Sequence, residues 1–376
     1  METEPRHARL WQTSLLSGNT KHLPLHKPTS LKMVAEKVGL SSAAVSRVLN
    51  GSPAAKSIPK PTQERILEAA RQLNYRPNLL ARSLRRGRSH TVGVLVPEIS
   101  EGYATLVLAG LEQGLLQAGY FFYLISHHHR TELIEQSQVM LAERAVDGII
   151  AIDTALQRHR QLPTVSISCQ DKHEWVTNIV LNHKRAAELA IDHLTGLGHR
   201  HIALIKGQAF SSDTEPRWQA IQHAAANANL KLDPELVAQL EGDSPSHDPG
   251  YFAAQRLLAA KTHFTALFAF NDVSAIGAIR AFREAGLRVP QDVSVVGFDD
   301  VQSAAFQNPG LTTVRQPLRT MGILAAEAIL RQIASPTEHP SSRQVMVDPE
   351  LVVRESTCPP SPKKPVGPGD RERSRF

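Results

Sequence analysis

Only two cysteines, Cys169 and Cys358, occur in the 376 residues. They are too few and too far apart for a disulfide framework, which fits a reducing cytosol and a cytoplasmic protein. No apolar run approaches the roughly 18 residues that a membrane span needs. Residues 1–28 hold only the scrap LWQTSLL where a signal peptide's longer apolar core would sit, so they are expected to form a disordered arm. The Pro-rich, charged stretch 357–376 is expected to be disordered too, and it has no leucine heptads for a coiled coil. Chemical motifs are equally scarce. No GxGxxG follows the first strand, and neither a GxxxxGK(S/T) phosphate loop nor a GxSxG nucleophile elbow occurs, so no cofactor is implied. His127–His129 invites a metal reading, but adjacent histidines in a strand point to opposite faces and cannot readily converge on one ion. His199 and His201 read as polar flanks at a strand entrance.

What is present is concentrated near residues 30–50. In SLKMVAEKVG, Leu31, Val34, Ala35 and Val38 repeat at helical spacing, and Gly39 ends the run. Leu40 and Ser41 turn into a second helix carrying Val45, Val48 and Leu49. Residues 62–73, with Ile66, Leu67, Ala69, Ala70 and Leu73, supply a third helix to close a small core. Two short amphipathic helices about a glycine turn are the helix-turn-helix layout, whose second helix can enter a DNA major groove. Ser30 is placed to cap the first helix, but Met33 stands where a capping box needs an acidic or amide side chain.

Charge divides the same way. Residues 29–88 hold 12 Lys/Arg against 3 Asp/Glu, whereas residues 89–356 hold 21 against 29. A basic head on an acidic body is the electrostatic footprint of phosphate-backbone binding. From Thr91 onward short apolar runs alternate with helical segments: TVGVLVP, YFFYLIS, DGIIAID, PTVSIS and VTNIVLN, then HIALIKG, VAQLEG, TALFAF and VSVVGF. Such alternation implies parallel sheets of right-handed βαβ units, here as two doubly wound subdomains of five or six strands each. Ligands in that architecture bind beyond the carboxyl ends of strands. Pro97–Glu98, Ser168, Asn271–Asp272 and Asp299–Asp300 follow strands here.

The segments VAEKVGLSSAAVSRVLNGS, LNYRPNLLARSLRRGRS, VDGIIAI, HLTGLGHRHIALI, FNDVSAIGAIRAFREAGLRVPQDVSVVGFDDV and PGLTTVRQP resemble the LacI/GalR bacterial transcription regulators, in family order from about residue 30 to 356. The resemblance implies an all-α helix-turn-helix headpiece over residues 29–77, a hinge helix and linker over 78–88, and an effector-binding and dimerisation domain over 89–356. That last domain would be an α/β, periplasmic-binding-protein-like core of two subdomains. It implies a homodimer on a double-stranded, near-palindromic operator, modulated by a small effector such as a sugar or sugar derivative. The family's base-reading positions fall on Ser42, Ala43 and Arg47, with Ser46, Asn50 and Tyr75 near phosphates and Ser30 and Leu31 at the DNA-facing helix start. Arg47 is the strongest reader, because a guanidinium pairs bidentately with guanine O6 and N7. Leu84 aligns with a leucine that wedges between base steps in the minor groove, and Ala81 and Arg82 line the same face. The loop GSPAAKSIPKP is longer than in related proteins.

In the core, the resemblance places Tyr103, Ser168, Arg217, Asn271 and Asp299 at the effector. Arg217 would clamp polar or anionic groups and Asp299 would accept from hydroxyls. Ala104, Ser244 and Ser168 stand where relatives carry two aromatics and an aspartate, which predicts few stacking faces and one carboxylate fewer. Two other classes compete with this reading. A solute-binding protein of a transport system shares the bilobed core but needs no basic head. An α/β enzyme such as a sugar kinase or dehydrogenase would need the absent phosphate loops.

Overall fold

A computed structural model describes residues 29–76, 87–100, 102–156, 162–169, 173, 175–335 and 344–361. The chain divides between Arg86 and Gly87 into two compact units.

The first unit is helical: α1 (Leu31–Val38), α2 (Ser42–Leu49) and α3 (Lys60–Gln72). Val34, Val45 and Ile66, one from each helix, are fully buried at its centre. The helix ends follow their residues. The Ser30 hydroxyl accepts the Met33 N–H at 3.3 Å, and Ser41 accepts that of Ala44 at 3.2 Å. Gly39 closes α1 at φ +69°, a left-handed conformation that suits a residue without Cβ. Leu67 departs from expectation. It is 45% exposed, because α3 turns Ile66, Ala69 and Ala70 inward and leaves Leu67 on the opposite face. The longer loop is ordered into a 3-10 turn (Pro53–Ser57) that buries Ala55, and Gln63 Nε2 donates to the carbonyls of Ala55 and Ile58 at 2.9 and 2.8 Å.

The second unit holds two six-stranded sheets. The first contains β1 (Thr91–Val96), β2 (Phe121–Ser126), β3 (Gly148–Ile152), β4 (Thr164–Ile167), β5 (Val176–Leu181) and β11 (Gln344–Val347), in the order β11-β5-β4-β3-β1-β2. The second contains β6 (Ile202–Lys206), β7 (Val237–Gln239), β8 (Ala266–Phe268), β9 (Ser294–Asp299), β10 (Thr312–Arg315) and β12 (Glu350–Val352), in the order β12-β10-β9-β8-β6-β7. All pairings are parallel except β10 with β12. Strands β3, β5 and β9 are buried along their whole length, and β3 accordingly reads as an unbroken apolar run, GIIAI. The helices are α4 (Tyr103–Gln117), α5 (Thr131–Glu143), α6 (His183–Gly196), α7 (Thr214–Asn227), α8 (Asp248–Ala259), α9 (Asp272–Glu284), α10 (Gln302–Ala305) and α11 (Leu318–Ala334).

The chain passes between the lobes three times: after β5, after β10, and between β11 and β12. The first and third passages are tied together, since Asn182 Nδ2 donates to Asp348 Oδ1 at 2.9 Å. The second sends α11 back to pack against α4 of the first lobe. The body begins firmly: Arg88 donates to the Ile333 carbonyl at 2.9 Å, and the Asp147 carboxylate accepts the N–H groups of Ser89 and His90. No helix among the described residues is long and apolar enough to cross a membrane.

Candidate functional site

In the head, α2 presents Ser42, Ala43 and Arg47 to solvent. Ser46 points the other way and is buried, and Asn50 Nδ2 donates to its carbonyl at 2.7 Å and its hydroxyl at 3.0 Å. That pair closes the helix end rather than standing free for a phosphate. Leu31 and Tyr75 are half-buried against the head's core, so each also carries packing, while Ser30 is exposed with its hydroxyl engaged as the cap. Ala81, Arg82 and Leu84 lie outside the described residues.

In the body, a cleft of about 140 Å³ opens where the carboxyl ends of both sheets meet. Tyr103, Arg217, Asn271 and Asp299 all line it. Ser168 stands one step behind, at φ +69°, with its hydroxyl hydrogen-bonded to that of Tyr103. Asn271 caps α9, its carboxamide oxygen accepting the Ser274 N–H at 2.8 Å.

Arg217 is 3% exposed and internally engaged. Its Nη1 donates to the Phe270 carbonyl at 2.5 Å and its Nη2 to Asp213 Oδ2 at 3.3 Å. Its plane lies over the rings of Phe298 and Phe270, 3.7 and 4.4 Å from their centroids. Burial alone would raise the Asp213 carboxyl, but the hydrogen bond and charge of His183, at 3.2 Å, and then Arg217 hold it below the usual range. Asp299, at φ +110°, accepts Gln316 Nε2 at 2.6 Å. Burial pushes its carboxyl up to about 7, against the pull of Arg217 and the Gln316 bond, with Asp213 adding repulsion. Asp153 follows β3 and accepts from Ser211 Oγ at 3.1 Å, from the Ser212 N–H at 2.9 Å and from the Ser212 hydroxyl. Burial, then Asp213, raises it to about 6.

Several expectations need correction. The cleft is rich in carboxylates, with Glu98, Asp153, Asp213, Asp243 and Asp299 on its lining. It has aromatic faces too, from Phe270 and from Phe210, which stacks on His129 with centroids 3.8 Å apart. Loops after strands and before α7 supply these groups, while Ala104 and Ser244 bring no aromatic ring to the lining. Strand β2 ends at Ser126, so the three histidines are not in a strand, and His128 and His129 are left-handed at φ +47° and +55°. His127 is buried with Nε2 2.8 Å from Thr154 Oγ1, and no group of three or more metal-ligating side chains gathers among the described residues. His199 is no surface flank. It is buried, with Nδ1 2.8 Å from Thr265 Oγ1 and Nε2 2.9 Å from the Cys358 carbonyl. Residues 357–361 therefore belong to the folded body. Asp153, Gln316 and Phe270, each just after a strand, could have been found by reading every strand end as a cleft position; Asp213 and Phe210 carry no such signal.

Comparison with known proteins agrees with this geometry. Residues 30–78 match the family described as bacterial regulatory proteins, lacI family, and residues 191–357 match the periplasmic binding protein-like domain. The HTH-type transcriptional repressor PurR of Aliivibrio fischeri (strain MJ11) is 33% identical over 337 residues, covering 87% of this chain and 98% of that protein. Its counterpart in Vibrio cholerae serotype O1 (strain M66-2) is 32% identical, covering 87% and 97%. Among solved structures, the lac repressor dimer bound to operator and the anti-inducer ONPF superposes with a TM-score of 0.78 at 26% identity, covering 88% of this chain and 100% of that one. The transcriptional regulator CelR–cellobiose complex gives 0.64 at 28%, covering 87% and 99%. A basic three-helix head followed by a bilobed α/β core with a polar cleft is thus a helix-turn-helix transcriptional regulator, and the chain belongs to the lacI family of bacterial regulatory proteins.

Proposed function

We propose that this regulator is a cytoplasmic repressor rather than an enzyme. It binds a near-palindromic operator as a homodimer and responds to a small polar effector, a sugar or sugar derivative, in the cleft. The observation that carries this reading is the exposed Ser42–Ala43–Arg47 face of α2 on a head with a large excess of positive charge. Arg47 reads a guanine, contributing about 1–3 kcal/mol of discrimination, and Ala43 at most touches a thymine methyl. Hinge segments from two subunits place paired Leu84 side chains at the operator centre, where an inserted apolar group kinks the duplex. Support for a dimer comes from β2, an edge strand of the first sheet that leaves Phe121 67% and Tyr123 48% exposed.

The effector acts by population shift. A ligand bridging the two lobes favours one degree of closure, and closure sets the spacing of the paired hinges and hence operator affinity. A gel-shift selection from a randomised operator pool tests the reading. Arg47→Ala should erase preference at one guanine per half-site, and Leu84→Ser should weaken specific binding far more than non-specific binding. Full-length protein with no salt-sensitive binding to any fragment would overturn it.

A further inference from the structure

The cleft assigned to an effector is short of positive charge. Glu98, Asp153, Asp213, Asp243 and Asp299 line it, and Arg217 is the one Lys or Arg among the described lining residues. Arg217 cannot serve them all. It is committed to Asp213, to the Phe270 carbonyl and to two aromatic faces, and it is almost wholly buried. His129 is held toward its neutral form, because burial pushes its imidazole below the ordinary value, outweighing the attraction of Asp243. An anionic ligand would therefore meet the lining carboxylates with Arg217 alone to offset them, and of that side chain the buried Nε is left without a hydrogen-bond partner.

A second observation points to the ligand independently. Gln316 follows β10 on a passage between the lobes and is 3% exposed. Its Nε2 is taken by Asp299, but its Oε1 lies buried on the cleft lining with no hydrogen-bond partner. A buried acceptor left unpaired is costly, and it marks where a donor belongs. Beside it stands Asp299, one of whose carboxylate oxygens accepts from Gln316. A hydroxyl could satisfy the amide oxygen, but it would add no charge to favour ionisation of Asp299, which burial opposes and Arg217 only partly restores. An ammonium group offers three donors and a full positive charge to the same two neighbours.

We propose that the effector is a small hydroxylated amine whose ammonium group sits between the Asp299 carboxylate and Gln316 Oε1. The inference rests on the reading of the cleft as an effector site, and it makes Gln316 a specificity-determining residue.

The test uses the full-length protein at neutral pH and matched ionic strength. Isothermal titration compares 2-amino-2-deoxyglucose and ethanolamine with their hydroxyl analogues, glucose and ethylene glycol, and with glucose 6-phosphate. At least one amine should bind about tenfold or more tightly than its hydroxyl analogue, the size expected of a charge-assisted hydrogen bond. The gap should shrink to about threefold or less in Asp299→Asn, which is near-isosteric and whose folding is checked by its own melting curve. Equal binding of amine and alcohol, no binding of either amine, preferred binding of the phosphate, or a gap that survives Asp299→Asn would each overturn the proposal. A parallel gel shift keeps the two readings apart. An amine that binds through Asp299 without changing operator affinity supports the ligand class and sinks the regulatory reading; a phosphate that binds and changes operator affinity does the reverse.

Discussion

Asp153, at the end of β3 in the first lobe, accepts the backbone N–H of Ser212 from the second lobe at 2.9 Å. The hydroxyls of Ser211 and Ser212 donate to the same carboxylate, so one buried side chain ties the lobes at the cleft. Asp153→Ala leaves three donors without their acceptor, a loss of about 1–3 kcal/mol of local stability. Hydrogen exchange should show the amides of the loop carrying Ser211 and Ser212 protected about tenfold to a hundredfold less. Unchanged protection there would mean that the tie does not hold the lobes.

The first lobe depends on two glycines where α4 meets α11. A Cβ on Gly110 would lie 2.0 Å from the Arg319 carbonyl oxygen, and one on Gly322 would lie 2.1 Å from that of Val107. Neither neighbour is a side chain that can swing away. Gly110→Ala should destabilise the core by about 1–3 kcal/mol in urea unfolding, as overpacking does. Gly196 is the contrast, because a Cβ there meets nothing within 4 Å. Gly196→Ala should stabilise by about 0.4–1 kcal/mol.

His199 pins residues after the last strand. Its Nε2 stands 2.9 Å from the Cys358 carbonyl and 3.1 Å from Ser294 Oγ, and Nδ1 reaches Thr265 Oγ1. His199→Ala removes a hub shared by three chain segments and should cost about 1–3 kcal/mol. Melting curves of the full chain check it; a change below about 0.5 kcal/mol, ordinary for a surface site, would restore the reading of His199 as a flank.

The strand–helix alternation was legible because parallel strands buried on both faces, such as GIIAI of β3, need apolar residues at every position. The helix-turn-helix was legible because its caps are local: Ser30, Gly39 and Ser41 act within four residues of themselves. What sequence order cannot express is the return of the chain to a lobe it has left. Leu318–Ala334 and Gln344–Val347 join the first lobe after more than a hundred residues in the second. The effector cleft was half legible for the same reason. Arg217 and Asp299 were found by their positions, but Gln316 gains its meaning only where β10 hands the chain across, and Asp153 only where Ser212 meets it. For the three histidines strand geometry is no guide, because β2 ends at Ser126 and left-handed backbone at His128 and His129 turns them away from any strand pattern.

Asp299 links the cleft to pH. Its carboxyl keeps its proton up to about 7 in the folded protein, whereas an unfolded aspartate has released it near 3.8. Across that window the native state binds more protons, so this group's contribution to stability is fully present below the unfolded value and is lost as pH rises through about 7. The charged groups facing it are Arg217, which favours ionisation, and Asp213, which opposes it; Gln316 also favours it through its hydrogen bond. Asp272, raised by burial and by Asp299 itself, acts with the same sign. Buried histidines act oppositely: His127, lowered to about 4 by burial, loses its contribution as pH falls below about 6.5. The clean window therefore lies between about pH 8 and pH 6.5. There the wild type should gain about 1 kcal/mol more than Asp299→Asn as the solution is acidified, one proton being worth about 1.4 kcal/mol per pH unit at most. Urea unfolding at the two pH values measures the difference, and parallel curves for the two proteins would show that Asp299 is already ionised throughout.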